Sequence, residues 1–248
     1  MKQAFRTLLA WVVLIFSANS AFADWSLVKM NETIDQTNFV VNKGCSGTLI
    51  NLEKRLILTA AHCVEAQYET RERELVSDEG VVTKEKYRKL IDGSVSQMVF
   101  SNGESQKTTI YRVTLKAVDK EVDLAVLQVN GPLPNTMAAK LAAREPVRGE
   151  RAYVVGNPGG SLYSSVVVGI VSSNDRTYDI IGASEGGSNR LVQISSGVIG
   201  GNSGGAVYDN DGEMVGVPVM ASRANEILGF AVPLNVVKKF LADKHLDQ

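Results

Sequence analysis

Three short segments carry side chains that together could support nucleophilic chemistry. His62 follows the apolar run LILTAA, Asp123 directly precedes the apolar run LAVLQV, and Ser203 lies in the glycine-rich sequence GNSGG. A hydroxyl becomes a nucleophile only when a base removes its proton and a third group orients that base. Serine, histidine and aspartate side chains are the set that supplies these three roles in acyl transfer.

The glycines around Ser203 have a use in such chemistry. Glycine lacks a Cβ atom, permits φ > 0 and lets backbone N–H groups turn towards one point. The N–H groups of Gly201 and Ser203 could hold the oxyanion that develops during acyl transfer, and loss of one such donor in a comparable enzyme lowers turnover by about 10²–10³. We therefore expect the shape of this loop to matter as much as the hydroxyl.

Each of the three roles has competing candidates. The chain has 2 histidines, and His245 lies in the C-terminal tail, which leaves His62 as the base. Asp119 competes with Asp123 for the orienting role, but it stands outside the apolar run. Three other serines lack the flanking glycine geometry of Ser203 and are interpreted as loop residues: Ser161, Ser195 and Ser196.

Length, composition and short apolar segments predict an all-β protein. The chain has 248 residues, 44% of them hydrophobic, which favours one large domain or two small β-barrel subdomains. Its net charge of -1 gives no indication of a nucleic-acid or anionic-membrane partner. Many short segments separated by turn signals favour barrels or a sandwich over βαβ units. The predicted strands are 46–51, 55–59, 95–100, 109–117, 124–129, 152–155, 164–172, 191–194, 205–208, 213–219 and 229–232.

Two stretches depart from the strand pattern. Residues 65–89 are rich in Glu, Arg and Lys, and we expect a solvated surface insertion with a helix from about Thr83 to Leu90. The segment after Pro233 predicts a closing helix over about 235–243, with Asn235 as its N-cap.

The N-terminus has the pattern of a signal peptide. An apolar run at Leu8 to Phe16 follows a basic start, and the sequence AFA ends at residue 23. The alternative, an uncleaved anchor, needs roughly 20 apolar residues, which is more than this run contains. We therefore predict that residues 1–23 are removed and that residues 24–248 are exported, to the periplasm or the medium, without stable membrane insertion.

Cys45 and Cys63 are the only cysteines in the chain. In an oxidising compartment a disulfide is the default, and closing a loop of this size stabilises a fold by roughly 3 kcal/mol. The alternatives are two buried free thiols or a zinc site, although the Cys/His spacing matches no zinc-ligand pattern. No metal is expected.

Taken together, the three segments resemble the chymotrypsin-like (trypsin-like) serine peptidases. The motifs TAAHC, DLAV and GNSGG occur in the His, Asp, Ser order of that family. The chain looks most similar to the bacterial HtrA/DegP-like branch of the family at three places: Val155–Pro158, Val168–Ser172 and Gly229–Pro233. No PDZ domain is expected after the closing helix.

The resemblance implies a fold and a set of roles. The fold would be two six-stranded antiparallel β-barrels, at about 35–130 and 146–233 of a single peptidase domain, with the active site in the cleft between them. His62 would be the general base, Asp123 its orienting carboxylate and Ser203 the nucleophile. The oxyanion donors would be the N–H groups of Gly201 and Ser203.

The resemblance also implies an activity and a substrate pocket. The chain would be a serine endopeptidase that acts on proteins or peptides through an acyl-enzyme, without metal or organic cofactor. The base of the primary pocket would be Gly197, six positions before the nucleophile. An apolar, uncharged lining would favour small or aliphatic side chains over Arg or Lys. The expected walls are Val198, Pro218, Val219 and Ala221.

The sequence departs from the family pattern at one position and leaves two alternative functions open. Asn202 stands where many trypsin-like peptidases carry the Asp that pairs with a freed N-terminus, so activation by terminal insertion is not expected. The first rival is a catalytically silent relative that binds protein partners after export. The second is an esterase of the α/β-hydrolase class, which needs strand–helix alternation and the order Ser, Asp, His.

Overall fold

A computed structural model describes residues 25–42, 44–65, 68–78, 80–90, 94–99, 107–179, 181, 189–222 and 227–247. The expected signal peptide lies outside the described residues. Within those ranges no helix is both long and apolar enough to cross a membrane.

Strands predominate in the described part of the chain. The strands are β1 (Asn38–Val41), β2 (Cys45–Asn51), β3 (Leu56–Thr59), β4 (Tyr68–Val76), β5 (Val82–Leu90), β6 (Ser94–Val99), β7 (Lys107–Asp119), β8 (Leu124–Val129), β9 (Arg151–Gly156), β10 (Ser165–Thr177), β11 (Arg190–Ile194), β12 (Ala206–Tyr208), β13 (Met214–Ala221) and β14 (Gly229–Pro233). The helices are α1 (Leu27–Thr37), α2 (His62–Glu65), α3 (Leu234–Asp243) and a 3-10 turn (Pro158–Gly160).

Six strands close into a first barrel in the order β1-β2-β3-β8-β7-β6. All their pairings are antiparallel. The β-branched and aromatic residues of these strands suit a pleated, half-buried surface. Their inward side chains form one buried apolar cluster that includes Phe39, Leu49, Ile57 and Leu127.

The remaining six strands of the barrels close in the order β10-β11-β14-β13-β12-β9, again antiparallel. The all-β fold class of two six-stranded barrels with a C-terminal helix is thus confirmed. A further cluster joins the barrels, because Leu58 and Val126 of the first pack with Val155 and Phe230 of the second. The two barrels are therefore held together by buried apolar contacts.

The closing helix begins one residue earlier than expected, and its N-cap was predicted wrongly. α3 starts at Leu234 with Pro233 as its cap residue, so Asn235 lies inside the helix. The Glu145 carboxylate accepts the Asn235 N–H and provides the acceptor that a capping side chain would have supplied. The buried face of α3 includes Val237 and Phe240.

The helix predicted from Thr83 to Leu90 is wrong, because those residues belong to strand β5. β5 pairs with β4 over their whole lengths in a separate two-stranded sheet. Charged side chains lie opposite each other across this hairpin: Arg73 is 2.6 Å from Glu85, and Lys86 is 3.7 Å from Glu72. Such cross-strand pairs stabilise a strand in residues that would otherwise favour a helix.

Helix α1 and strand β1 had no counterpart among the predicted elements. The Ser26 hydroxyl accepts the Lys29 N–H and caps the start of α1. Before it, Trp25 is 5% exposed and packs against two rings of the second barrel. The ring centroid of Trp25 is 5.7 Å from that of Tyr153 and 5.1 Å from that of Tyr208. The segment before the first barrel is therefore anchored on the second.

Candidate active site

Strand pairing brings His62 and Asp123 to the same edge of the first barrel. Thr59, at the end of β3, is opposite Ala125 near the start of β8. Because the strands are antiparallel, the residues that follow β3 and those that precede β8 leave the barrel together. Ala61 donates its N–H to the Asp123 carbonyl at 3.1 Å, which fixes the two segments to each other.

The Asp123 carboxylate contacts His62 with both oxygens. Oδ1 accepts the His62 backbone N–H at 2.9 Å, and Oδ2 lies 2.8 Å from the imidazole Nδ1. Asp123 has φ +54, a left-handed conformation that Asp tolerates better than most residues. A carboxylate at Nδ1 favours the tautomer that carries its proton there, which leaves Nε2 free of a proton as a base.

Asp119, the rival of Asp123, shapes the turn that leads to it. The Asp119 Oδ1 accepts the N–H groups of Glu121 at 3.0 Å and Val122 at 3.4 Å. The side chain of Asn189 donates to the Glu121 carbonyl at 2.6 Å and fixes the outside of the turn. The structure therefore places Asp123, and not Asp119, against His62.

Tyr178 lies near this pair and was missed by the sequence interpretation. The residue is 4% exposed, and its hydroxyl has no hydrogen-bond partner among the described residues. Burial raises the pKa of this phenol well above its ordinary value, and the negative charge of Asp123 raises it further. A single tyrosine after a strand carries no pattern that would have revealed this proximity.

The loop that carries Ser203 is held by its carbonyl groups. β12 pairs with β9, with Ala206 opposite Val155, so the loop before β12 lies beside the turn after β9. The carbonyls of residues 200–203 all accept hydrogen bonds, from inside the loop, from that turn and from β2. Their donors, in chain order, are Gly159 N (2.8 Å), Ser46 Oγ (2.6 Å), Gly205 N (3.0 Å) and Ser46 N (2.8 Å).

The N–H groups of the same loop alternate between used and unused. Asn202 donates to the Ile199 carbonyl at 3.0 Å, and Gly204 donates to the Pro218 carbonyl at 2.8 Å. The N–H groups of Gly201 and Ser203 donate to no group in the described part of the chain. In a trans peptide the C=O of one residue and the N–H of the next residue point in opposite directions. The Gly201 N–H therefore faces away from Gly159, which holds the Gly200 carbonyl, and the Ser203 N–H faces away from Gly205, which holds the Asn202 carbonyl.

Two glycines are required by this loop geometry. Gly201 has φ +103 and Gly204 has φ +84. A Cβ at Gly204 would lie 2.2 Å from the Thr59 Oγ1, and one at Gly201 would lie 2.4 Å from the Asn157 carbonyl oxygen. Any side chain at either position would therefore displace the loop from its contacts.

The Ser203 hydroxyl donates to the Val219 carbonyl at 3.4 Å, a long hydrogen bond. No hydrogen bond joins this hydroxyl to His62 among the described residues. The disulfide that the sequence predicted is present, and Cys63 Sγ lies 3.6 Å from the Ser203 carbonyl.

The cysteines leave no metal site in this part of the molecule. In the described residues, one group of His, Cys, Asp or Glu side chains has atoms close enough for a metal: Cys45, His62 and Cys63. Both sulfur atoms belong to the disulfide. Zinc binds cysteine as a thiolate, so this group does not fit a zinc ion.

The residues predicted to form the substrate pocket adjoin the Ser203 loop. Val198 is 2% exposed and Val219 is 6% exposed, and both are apolar. Gly229 lies against Val198, since a Cβ there would be 2.2 Å from the Val198 Cγ2. Pro218 is buried as well, whereas Gly197 and Ala221 are half-buried. No charged side chain belongs to this set.

Two six-stranded antiparallel barrels, with a His–Asp pair beside a glycine-rich serine loop, are the architecture of one class of hydrolase. The sequence model described as "Trypsin-like peptidase domain" matches residues 45–217, which include His62, Asp123 and Ser203. This match covers well over half of the chain. The chain belongs to the trypsin-like peptidase family.

Similar full-length proteins are serine proteases by name. The "Serine protease Do-like HtrA" of Bacillus subtilis is 33% identical over 148 residues, which cover 56% of this chain and 33% of that protein. The "Periplasmic serine endoprotease DegP" of Escherichia coli is 31% identical over 163 residues, which cover 60% of this chain and 33% of that protein. The chain thus spans about a third of the length of these curated relatives.

Solved structures support the same fold. The "serine endoprotease from Yersinia pestis" superimposes with a TM-score of 0.59 at 22% identity, over 87% of this chain and 66% of that one. The "HtrA-type protease AlgWS227A with tripeptide" gives a TM-score of 0.61 at 19% identity, over 88% of this chain and 62% of that one. At these identities the similarity establishes the fold.

Proposed function

We propose that this chain is a serine endopeptidase with His62, Asp123 and Ser203 as its catalytic triad. The observation that carries the proposal is the 2.8 Å contact between the His62 Nδ1 and Asp123. It lies beside a serine loop in which the N–H groups of Gly201 and Ser203 donate to no group among the described residues. Membership of the trypsin-like peptidase family supports it. Relatives that are named serine proteases support it as well.

The proposed reaction follows from the positions of these groups. The Ser203 Oγ bonds to the substrate carbonyl carbon while His62 takes the hydroxyl proton, and Asp123 stabilises the resulting imidazolium. The oxyanion accepts hydrogen bonds from the N–H groups of Gly201 and Ser203. The C–N bond then breaks, and His62 returns its proton to the leaving amine. Water repeats the sequence on the acyl-enzyme and releases the acid.

A preference for small or aliphatic side chains is the second part of the proposal. The pocket residues, with Gly197 at the base, carry no charge to pair with Arg or Lys, and Val198 takes up volume beside Gly229. An apolar pocket discriminates modestly by size and strongly against an unpaired charge. A peptide library is expected to show cleavage after Val, Ala or similar residues, and efficient cleavage after Arg or Lys would contradict this preference.

Export is also proposed rather than established. Residues 1–23 have the pattern of a signal peptide, and the E. coli relative is named as periplasmic. A disulfide persists in such compartments and is rare in the cytosol. We propose that residues 24–248 form one exported peptidase domain, with the barrels at about 35–130 and 146–233 and with protein or peptide substrates.

The rival functions are less well supported. A catalytically silent binding domain would not need the His62–Asp123 contact or two unused donors beside Ser203. The α/β-hydrolase esterase is wrong, because the fold is two antiparallel barrels and not a sheet with strand–helix alternation.

A fluorophosphonate probe tests the proposed function. The wild type is expected to become labelled, and Ser203→Ala is expected to lose the label and to lose cleavage of an unfolded casein. Ser195→Ala is the matched control, because Ser195 is exposed and its hydroxyl accepts the Ile170 N–H outside the loop. Folded wild type without label, or Ser203→Ala with full label, would contradict the proposal. The intact mass of the labelled protein also reports whether residues 1–23 are removed.

A further inference from the structure

Ser46 contacts the Ser203 loop with both its backbone and its side chain. It lies on β2 of the first barrel and is fully buried. Its N–H donates to the Ser203 carbonyl at 2.8 Å, and its hydroxyl donates to the Gly201 carbonyl at 2.6 Å. One residue of the first barrel therefore holds two of the four carbonyls on the loop of the second barrel.

The direction of the Ser46 hydroxyl proton follows from its other partners. A serine hydroxyl has one proton to donate and two lone pairs to accept with. The Asn157 backbone N–H lies 2.7 Å from Oγ and the Asn157 side-chain Nδ2 lies 3.0 Å away, and both of these groups donate. Because both lone pairs are occupied, the proton is directed to Gly201. The hydroxyl has no alternative arrangement that keeps all three bonds.

Asn157 is itself buried and held by further hydrogen bonds. It is 1% exposed. Its Nδ2 also donates to the Phe39 carbonyl at 2.9 Å, and its Oδ1 accepts the Asn38 side chain at 2.8 Å and the Ser164 N–H at 3.0 Å. The network therefore runs from strand β1 through the turn after β9 to the serine loop. A buried network with its partners in place is rigid.

The loop needs such an external constraint. Gly201 has φ +103, and glycine has a wide choice of conformations, so the peptides on either side of Gly201 could rotate at little cost. Rotation of the peptide from Gly201 to Asn202 would break the bond to Ser46 Oγ. Rotation of the preceding peptide would break the bond from Gly159 to the Gly200 carbonyl, and it would turn the unused Gly201 N–H away.

We propose that Ser46 is a positioning residue for the proposed reaction: its hydroxyl, oriented by Asn157, holds the Gly201 carbonyl so that the Gly201 and Ser203 N–H groups stay directed at the oxyanion. This inference rests on the proposed peptidase function. It assigns Ser46 no contact with substrate. The peptide that its hydroxyl holds joins Gly201 to Asn202, and this peptide lies between the two peptides that carry the Gly201 and Ser203 N–H groups.

The decisive variant is Ser46→Ala, which removes the hydroxyl and keeps the backbone bond to Ser203. For a peptide p-nitroanilide, kcat is expected to fall about 10- to 100-fold, less than the 10²–10³ for a lost oxyanion donor, with KM little changed. The pH dependence of kcat/KM is expected to keep its midpoint, because His62 and Asp123 are untouched.

A peptide aldehyde gives a readout that a purely structural role would not change. Ser203 Oγ adds to the aldehyde carbon, its proton passes to His62, and the new oxyanion occupies the site of the two N–H donors. Affinity for the aldehyde is expected to fall in Ser46→Ala by the same factor as kcat. Affinity for the matching peptide alcohol, which forms no oxyanion, is expected to stay within twofold.

Two further variants keep the test decisive. Thr37→Val also removes a fully buried hydroxyl, whose partner is the Tyr208 hydroxyl at 2.9 Å, away from the loop. It is expected to lose stability as Ser46→Ala does but to keep kcat. Ser46→Thr retains the hydroxyl and is expected to recover most of kcat. If Ser46→Ala does not fold, Ser46→Cys, whose thiol is a weak donor, takes its place.

The expected outcomes distinguish failure of the proposed Ser46 role from failure of the proposed peptidase function. Wild-type kcat and aldehyde affinity in a folded Ser46→Ala or Ser46→Cys protein, with Ser203→Ala inactive, would overturn the role of Ser46 and leave the peptidase intact. An equal loss of kcat in Thr37→Val would also overturn it. Folded wild type that fluorophosphonate does not label would overturn the peptidase proposal, and the role of Ser46 with it.

Discussion

Asp123 orients more than an imidazole ring. Its carbonyl accepts the Ala61 N–H, and one carboxylate oxygen accepts the backbone N–H of His62. The other oxygen contacts the ring Nδ1. The residue therefore fixes the backbone of the histidine segment and the ring together, and its left-handed φ of +54 is held by those contacts.

Replacing Asp123 by asparagine tests this role at the level of one atom. The amide oxygen of the new side chain could still accept the His62 N–H, but its NH₂ group would face Nδ1 and favour the wrong imidazole tautomer. In the proposed enzyme, Asp123→Asn is expected to lower kcat by about 10⁴, as such a change does in a comparable protease. Steady-state kinetics with a peptide p-nitroanilide measure it.

Asp119→Asn is the matched control for that change. Its side-chain oxygen would still cap the turn at Glu121 and Val122, so kcat is expected to stay near that of the wild type. A loss below tenfold in Asp123→Asn, or equal losses in both variants, would contradict the separate roles given to the two aspartates.

The sequence identifies reacting groups more readily than the residues that hold them. His62, Asp123 and Ser203 stand in short motifs with apolar or glycine neighbours. Ser46 and Asn157 are 111 positions apart, and only the packing of one barrel against the other brings them together. Their contacts depend on long-range packing, and no local spacing encodes it.

At the level of elements, the barrel strands were the most predictable feature. Short apolar runs bounded by turns correspond to β3, β8, β9, β13 and β14. The charged hairpin was predicted wrongly because Lys, Glu and Arg also favour helices. In the hairpin, Arg73 shares a face with Glu85, and Glu72 shares the other face with Lys86. That pairing is visible only when both strands are considered together.

Helix α1 contains a carboxyl group whose titration can be followed. Burial raises the pKa of Asp35 above its ordinary value of 3.8. The folded state thus binds the proton more readily than the unfolded state, and its charged form is penalised. The penalty is complete at neutral pH and disappears as the pH falls through the folded-state pKa towards 3.8. Asp35→Asn is expected to raise Tm at about pH 7 and to match the wild type near about pH 3.

Glu32→Gln is the control on the same helix. Glu32 is exposed, and its replacement is expected to change Tm little at either pH. Thermal unfolding followed by circular dichroism over this pH range makes the comparison. A lower Tm for Asp35→Asn at neutral pH would show that the charged carboxylate stabilises α1, contrary to this expectation.

At the level of the whole molecule, the disulfide lies where the two barrels meet. The disulfide joins Cys45, next to Ser46, to Cys63, next to His62. It therefore links the segment that holds the serine loop to the segment that carries the imidazole. The apolar cluster between the barrels and the Asn38–Asn157 hydrogen bond add contacts across the same cleft.

Removing the disulfide is expected to lower the free energy of unfolding, because the unfolded chain gains conformational entropy when the loop is no longer closed. The double variant Cys45→Ala, Cys63→Ala should lower the free energy of unfolding by about 3 kcal/mol, the value for a loop of roughly this length. Urea denaturation with and without a phosphine reductant measures it. The reductant should lower the midpoint of the wild type and leave that of the double variant unchanged. An unaltered wild-type midpoint would contradict a stabilising disulfide.

Trp25 gives the molecule a built-in optical reporter. The chain has 2 tryptophans, and the other, Trp11, lies in the proposed signal peptide. A processed chain would carry a single indole, packed on Tyr153 of β9 and Tyr208 of β12. Its emission would report the packing of the N-terminal segment on these two rings, whereas circular dichroism averages over both barrels. The loss of this one contact could thus be timed against unfolding of the whole chain without a label.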